Sequence, residues 1–196
     1  MPYFCLVVSI HKGHPKYGYM GGLIMTVQTS RFGQVEIQEN DVLVFPEGLL
    51  GFSELRTFVL LEDPQDEIFV WLQSTENPHI AFPVLEPEFF VPNYKLSLAK
   101  NDLEAMGLKS QEKVRSFAII TIPDDPKQMT ANLKAPIVIH VASRISRQCV
   151  LQDNNLAIRE PIFTSLQQRL VQMPSQKLRE IPAERSAPQA LPLAEI

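Results

Sequence analysis

The chain has 196 residues, 45% of them hydrophobic and 20% charged, with a formal net charge of −4. That length and composition fit one globular domain, with or without a tail, and exclude wholesale disorder. No stretch reaches the ~18–20 consecutive apolar residues of a membrane-spanning helix, the acidic balance argues against a nucleic-acid-coating surface, and two cysteines 144 positions apart make neither a disulfide framework nor a metal-type pair, which fits a reducing cytoplasm.

The N-terminal stretch, residues 1–24, differs from the rest of the chain. It holds two of the four histidines, three of the four tyrosines and no acidic residue. Phe4 to Ile10 is apolar, but no positive segment precedes it and no A-x-A-like site comes after it, so a secretory signal is not expected. Gly21-Gly22 shortly before Met25 is what a translated ribosome-binding site would encode. Residues 1–24 are therefore expected to be a non-native or disordered extension, with Met25 as the biological start.

From Met25 onward strand signals dominate. Sixteen prolines against eight glycines cannot sit inside helices or on the paired side of central strands, so short strands joined by stiff turns are predicted. Thr26–Thr29 and Gln34–Gln38 alternate around Arg31-Phe32-Gly33 and predict a hairpin. Short runs at Asp41–Phe45, Thr57–Leu61 and Ile68–Gln73 each end at turn residues. Ile80–Leu85 carries Pro83, which predicts a sheet edge or a bulge. Ser116–Ile122 and Ile137–Val141 are the most strand-like runs, with Gln148–Leu151 as the partner of the latter. Helix is scarce. Leu98–Met106 with Gly107 as a left-handed stop is one candidate. Pro161–Met173 is another, with Pro161 in the first turn and Ile162, Leu166, Leu170 and Met173 as an apolar stripe. About nine strands and one or two short helices predict a mainly β fold, a small closed or nearly closed antiparallel β-barrel. From Pro174 the chain has four prolines in its last 23 residues and no aromatic. It is expected to be a flexible tail, leaving 25–173 as the folded unit.

Residues with chemical potential are few. His79 and His140 have no Cys or second His at ligand spacing. Cys149 has no helix start or neighbouring histidine to activate it, so core packing is expected. Ser53 and Ser74 lack a nucleophile elbow. Gly48-Leu-Leu-Gly51 has no Lys-Ser/Thr after it and predicts a tight turn rather than a phosphate loop. Acidic pairs at Glu62-Asp63, Asp66-Glu67 and Asp124-Asp125 lie beside prolines and read as solvated turns. No catalytic, metal-binding or cofactor-binding residue is assigned, and no enzymatic activity is expected.

Charge is unevenly spread. From Arg31 to Phe90 twelve acidic residues face only Arg31 and Arg56, whereas Val91 to Met173 carries eleven Lys or Arg against seven Asp or Glu. A barrel could interleave the two halves and erase the difference. If the first-half loops cluster, they form an acidic face that steers a basic partner and repels nucleic acid.

Gly33–Ile37 (G-x-V-E-I), Phe45–Phe52 (FPEGLLGF), Phe69–Ser74 (FVWLQS), Pro78–Phe90 (PHIAFPVLEPEFF) and Thr130–Ile139 (TANLKAPIVI) are each weak alone. In this order and spacing, from Met25 to about Phe163, they resemble the bacterial flagellar assembly factor family, FliW. The resemblance implies a small, non-catalytic, cytoplasmic barrel whose partners are flagellin before export and the RNA-binding translational regulator CsrA, whose repression of flagellin synthesis it antagonises. It implies no cofactor, no direct nucleic-acid contact and no membrane; the free protein is expected to be a monomer. An export chaperone for flagellin without the CsrA link is the alternative, and a small barrel binding a small molecule or RNA is the third reading. Phe45, Pro46, Gly48, Gly51, Phe52, Asn132 and Pro136 are expected to hold the fold: Phe45-Pro46-Glu47-Gly48 ends a strand and turns, Phe52 plugs the core, Asn132 bonds turn backbone, and Pro136 begins a strand. The candidate partner contacts are the acids Glu62, Asp63, Asp66 and Glu67, with Glu47 or Glu86 as the next choice, and the pair Phe89-Phe90 beside the Trp71–Leu72 strand. If Phe89 and Phe90 are extended, one faces the core and the other lies outside, under the C-terminal helix or open to a partner.

Overall fold

The structure, a computed structural model, describes residues 8–9, 23–110 and 113–172. The expected tail from Pro174, Met173 of the expected helical stripe, and most of residues 1–24 lie outside the described residues.

β2 (Ile24–Thr29) and β3 (Gly33–Gln38) form the predicted hairpin, a separate two-stranded sheet. Gly33 takes a positive φ of 70° at its turn, and the Thr29 hydroxyl accepts from Phe32 N–H at 2.8 Å while donating to Gly33 C=O. The run expected at Asp41–Phe45 is mostly not strand. A 3-10 turn spans Glu39–Asp41, because the Asp41 carboxylate accepts from Gln38 N–H at 2.8 Å and holds the chain in a turn. Only Leu43–Val44 (β4) then pairs.

The large sheet has the order β1–β5–β6–β7–β8–β9–β10, where β1 is Val8–Ser9, β5 Thr57–Asp63, β6 Asp66–Ser74, β7 Ala81–Leu85, β8 Val114–Thr121, β9 Thr130–His140 and β10 Ser146–Gln148. β4 pairs with β5, and β11 (Glu160–Pro161) with β9. Among the described residues every ladder is antiparallel except β1 on β5. The protein is therefore mainly β, with two helices among the described residues, α1 (Lys100–Ala105) and α2 (Phe163–Gln172). The ladder order is an open path, so the expected closed barrel is not confirmed by it. The two ends of the sheet meet at one isolated parallel bridge, Val44 with Ile145, where Val44 N–H donates to Arg144 C=O at 3.0 Å.

Three prolines sit elsewhere than local rules predict. Pro83 lies in β7, between two strands rather than at an edge. Ser74 N–H donates to Ile80 C=O at 2.9 Å, so even-numbered residues of β7 bond β6 and Pro83 turns its nitrogen toward β8. The β7–β8 ladder holds only Val84 and Leu85, so no bond is lost there. Pro136 does not begin a strand but sits inside β9, where the register shifts against β8 between Phe117 and Ile119. Across that irregularity the Asn132 side-chain oxygen accepts from Ala135 N–H at 2.9 Å, the turn-bonding role expected of it, and Pro136 C=O accepts from Cys149 N–H at 3.0 Å. Pro161 pairs in β11 with Thr130 instead of opening the helix, and α2 starts two residues later.

The core divides by sheet face. One face gathers Phe58, Leu60, Leu72, Val84, Phe117 and Ile137. The other is covered by the β2–β3 hairpin over Val59 and Leu61, and by Phe90, Ile162 and Leu166 over Phe69, Leu85 and Ile120. Of the predicted α2 stripe, Ile162 and Leu166 are buried while Leu170 is exposed. Gly107, at φ 68°, stops α1 as expected, with Gly107 N–H donating to Glu104 C=O.

Candidate partner-binding surface

β5 and β6 are joined across Pro64-Gln65, so Glu62, Asp63, Asp66 and Glu67 share one hairpin tip as strand residues rather than loop residues. Asp63 is not a free charge. Its carboxylate accepts from Gln65 N–H and pairs with Arg31 at 3.0 Å, and the Arg31 guanidinium lies 3.8 Å from the Trp71 ring centroid. Trp71 also meets Phe32 edge-on at 6.5 Å. This stack docks the β2–β3 hairpin on the sheet, and it leaves Trp71 half-buried under Arg31 rather than lining an open groove. Glu62 is exposed and forms no ion pair among the described residues.

β7 runs back toward the same end of the sheet, since Val84 lies opposite Val70. Phe89 and Phe90 come after it, but not as extended chain. Pro87–Phe89 is a 3-10 turn closed by Phe90 N–H to Pro87 C=O at 3.1 Å, because Pro87 presets φ for a first-turn position. Phe90 is buried at 4% exposure. Phe89 is half-buried, packed beside the same cluster, with the Arg169 guanidinium of α2 6.0 Å from its ring centroid. Glu88 is exposed, and Glu86 pairs with Arg115 at 2.7 Å. Between Glu86, Glu88, Lys95, Leu96 and β8 opens a cleft of about 730 Å³. One end of the molecule thus combines the acidic tip, Glu86 and Glu88 with the Phe89 ledge.

Glu47 lies at the other end, beyond β4. It pairs with Arg147, which also reaches Asp102 at 3.1 Å. The hydrogen bond to Glu47, ahead of the contact with Asp102, raises the Arg147 pKa. Glu47 is therefore tied to β10 and α1, and its distance along the chain from Arg147 gave the sequence no signal of this. The surrounding turn is scaffold. Phe45 is fully buried and meets Phe58 edge-on at 5.1 Å; Gly48 N–H donates to Phe45 C=O; Pro46 C=O accepts from Arg56; Leu49 and Phe52 exchange backbone bonds across Gly51. Phe52 is half-buried against Phe82 at 5.3 Å, a partial plug.

Other titratable groups serve turns and core. His79 and His140 each bond a serine hydroxyl through Nδ1 at 2.7 Å. Ser74 accepts from Glu76 and Asn77 N–H. Burial raises the Glu76 carboxyl pKa, but the N–H groups of Arg56 and Thr57, both at 2.6 Å, with the Thr57 hydroxyl, outweigh it and hold the group below its usual value. No group of three His, Cys, Asp or Glu suited to a metal occurs among the described residues. Cys149 is fully buried, and burial pushes its thiol up to about 12 from 9.0; burial likewise pushes the Tyr94 phenol up to about 12 from 10.0. Both are acids that stay protonated longer in the folded state. Their contribution to stability is complete below pH 9 and is lost as pH rises from 9 toward about 12, because the unfolded chain ionises first. The urea midpoint is expected to fall across that window, and Cys149→Ala should delay the onset toward pH 10; a midpoint flat from pH 9 to 11 would contradict the burial argument.

The family model described as FliW protein matches residues 26–162. A flagellar assembly factor FliW from Bdellovibrio bacteriovorus is 68% identical over 151 residues, covering 77% of this chain and 86% of that protein. One from Leptospira biflexa is 39% identical over 145 residues, covering 74% and 95%. A crystal structure of the flagellar assembly factor FliW superposes with a TM-score of 0.65 at 34% identity, covering 71% of this chain and 97% of that one. The matched span runs from Thr26 within β2 through β11 and includes the acidic tip, and the chain belongs to the FliW family of flagellar assembly factors.

Proposed function

We propose that this flagellar assembly factor is a non-enzymatic cytoplasmic regulator, monomeric when free, that binds flagellin and the translational regulator CsrA in alternation and so relieves CsrA repression of flagellin synthesis. The observation that carries the reading is the family match across nearly all of the sheet, 26–162, rather than around a pocket. A partner switch needs surface, and the shared end of Glu62, Glu88 and Phe89 offers charge for one partner and an apolar ledge for another. The Val44–Ile145 bridge supports a nearly closed barrel as the rigid support for that surface. Nucleic acid and membrane have no part in it. The alternative, a flagellin export chaperone without the CsrA link, uses the same domain.

Titrating the full chain with purified CsrA and then with flagellin separates the two. Binding of both, with flagellin displacing CsrA, is the expected result; flagellin alone supports the chaperone, and binding of neither overturns both readings. Glu62→Lys with Glu67→Lys should slow CsrA association severalfold at low salt. The effect should fade as the Debye length falls toward ~3 Å at 1 M salt. Stopped-flow rates unchanged at low salt would remove the hairpin tip from the contact. Asp63 is left intact because it anchors Arg31.

A further inference from the structure

Where β7 ends, β8 continues without it. Leu85 lies opposite Ala118, so the next residue of β8 that faces this way, Ser116, would meet Pro87. Pro87 has no N–H to give and opens the Pro87–Phe89 turn instead, which takes the chain off the sheet. On the other side of β8, Val141 N–H donates to Lys113 C=O at 3.1 Å. Backbone groups alternate in direction along a strand, so Arg115 and Phe117 bond β9, while Val114 and Ser116 turn their N–H and C=O groups toward the line that β7 has left. Those groups meet no hydrogen-bond partner among the described residues, although Ser116 is only 5% exposed. They border the cleft of about 730 Å³, which residues 95–97, a stretch without regular secondary structure, also line. At ~3.3 Å per residue, about three residues of extended chain cover this edge.

The side chains around the edge set what can occupy it. Val114 and Leu96 pack on the same apolar cluster. Arg115 points to the opposite face, where it lies 5.1 Å from the Phe117 ring centroid and pairs with Glu86 at 2.7 Å. The charged residues of the cleft are Glu86, Glu88, Lys95 and Arg115, so the two signs balance and no net charge is drawn in. In this the cleft differs from the acidic hairpin tip and resembles the apolar Phe89 ledge, to which Glu88 joins it directly. We propose that the fork between β7 and β8 is a strand-addition site whose occupant is an extended segment of flagellin, antiparallel to β8 on the line of β7. Its apolar side chains face Leu96 and Val114 and alternate with uncharged polar ones beside the Arg115–Glu86 pair. This rests on the reading of flagellin as the partner at the Phe89 ledge, and adds to it a main-chain contact.

The test is hydrogen exchange in the full chain, read amide by amide with and without saturating purified flagellin. Val114 and Ser116 N–H should exchange freely in the free protein and at least tenfold more slowly in the complex. Phe117 N–H, directed at β9, should be protected in both. Ser116→Pro removes an outward donor and no bond to β9, so it should weaken flagellin binding at least tenfold with Phe117 N–H still protected; should that variant not fold, exchange in the parent chain decides. Flagellin that binds without slowing Ser116 N–H, or that binds a folded Ser116→Pro chain as tightly as the parent, overturns the strand-addition site and leaves the partner reading standing. No binding of flagellin to the parent chain overturns both.

Discussion

Gly48→Ala is expected to destabilise the fold by about 3–4 kcal/mol, and Gly51→Ala, three residues on in the same turn, by about 1 kcal/mol. Both glycines have positive φ, 70° and 86°, and an L side chain there costs ~1–2 kcal/mol. The difference is space. A Cβ on Gly48 would stand 2.6 Å from Phe52 O and 2.7 Å from Ser53 Cα, both backbone atoms, whereas one on Gly51 meets nothing within 4 Å. Relief of the first clash must pull the Leu49–Phe52 bridge away from Phe45, and overpacking of that kind adds ~1–3 kcal/mol. Because Glu47 reaches Arg147 from this turn, the Gly48 variant should also loosen β10. Urea denaturation of both variants checks the ranking; equal midpoints would mean that φ alone sets the cost.

The same turn shows what the sequence makes legible. Local rules read correctly wherever the deciding interaction lies within a few residues: the β2–β3 hairpin from alternation around Gly33, the α1 stop from Gly107, the Gly48–Gly51 reversal, and Asn132 bonding Ala135 N–H. They misread positions decided by distant partners. Pro136 and Pro161 look like segment starts, yet both are seated in ladders: Pro161 turns its nitrogen away from β9, since Ile162 N–H donates to Met129 C=O, and Pro136 sits at the register shift of β9 opposite Cys149, just beyond the end of β10 at Gln148. The Asp41 carboxylate turns a strand-like run into a 3-10 turn, a side-chain choice that hydropathy does not register. Among the candidate contacts, the hairpin tip was legible as a cluster because its acids are close in sequence. The Arg31–Asp63 pair spans 32 positions and the Arg147–Glu47 pair 100, so sequence counted Asp63 and Glu47 as free charges that the fold has already used.

Phe90→Ser is expected to cost about 3–5 kcal/mol and Phe89→Ser about 1 kcal/mol, a split that decides whether this segment can serve a partner. Phe90 is 4% exposed and packs in the cluster with Phe69, Leu85 and Ile162. Truncating a buried phenylalanine leaves a cavity worth ~3–5 kcal/mol, and an unmatched hydroxyl in its place does not help. Phe89 sits one residue earlier on a 3-10 turn, half-buried at the margin of the same cluster, with Arg169 over its ring. Its loss removes one face of packing and a partly exposed cation–π contact of ~0.5–1 kcal/mol. Extended backbone would have sent the two rings to opposite sides; the turn sends both toward the sheet and leaves only the rim of Phe89 in reach of solvent. Apolar segments of a partner that add to this rim must displace or share Arg169, so Arg169→Ala should strengthen flagellin binding if the proposed ledge is the contact, while Phe89→Ser should weaken it severalfold with CsrA binding retained. Calorimetric titrations of the two variants against both partners read the outcome. Unchanged flagellin affinity in Phe89→Ser, in a chain whose urea midpoint shows it folded, would move the flagellin contact away from this end of the sheet.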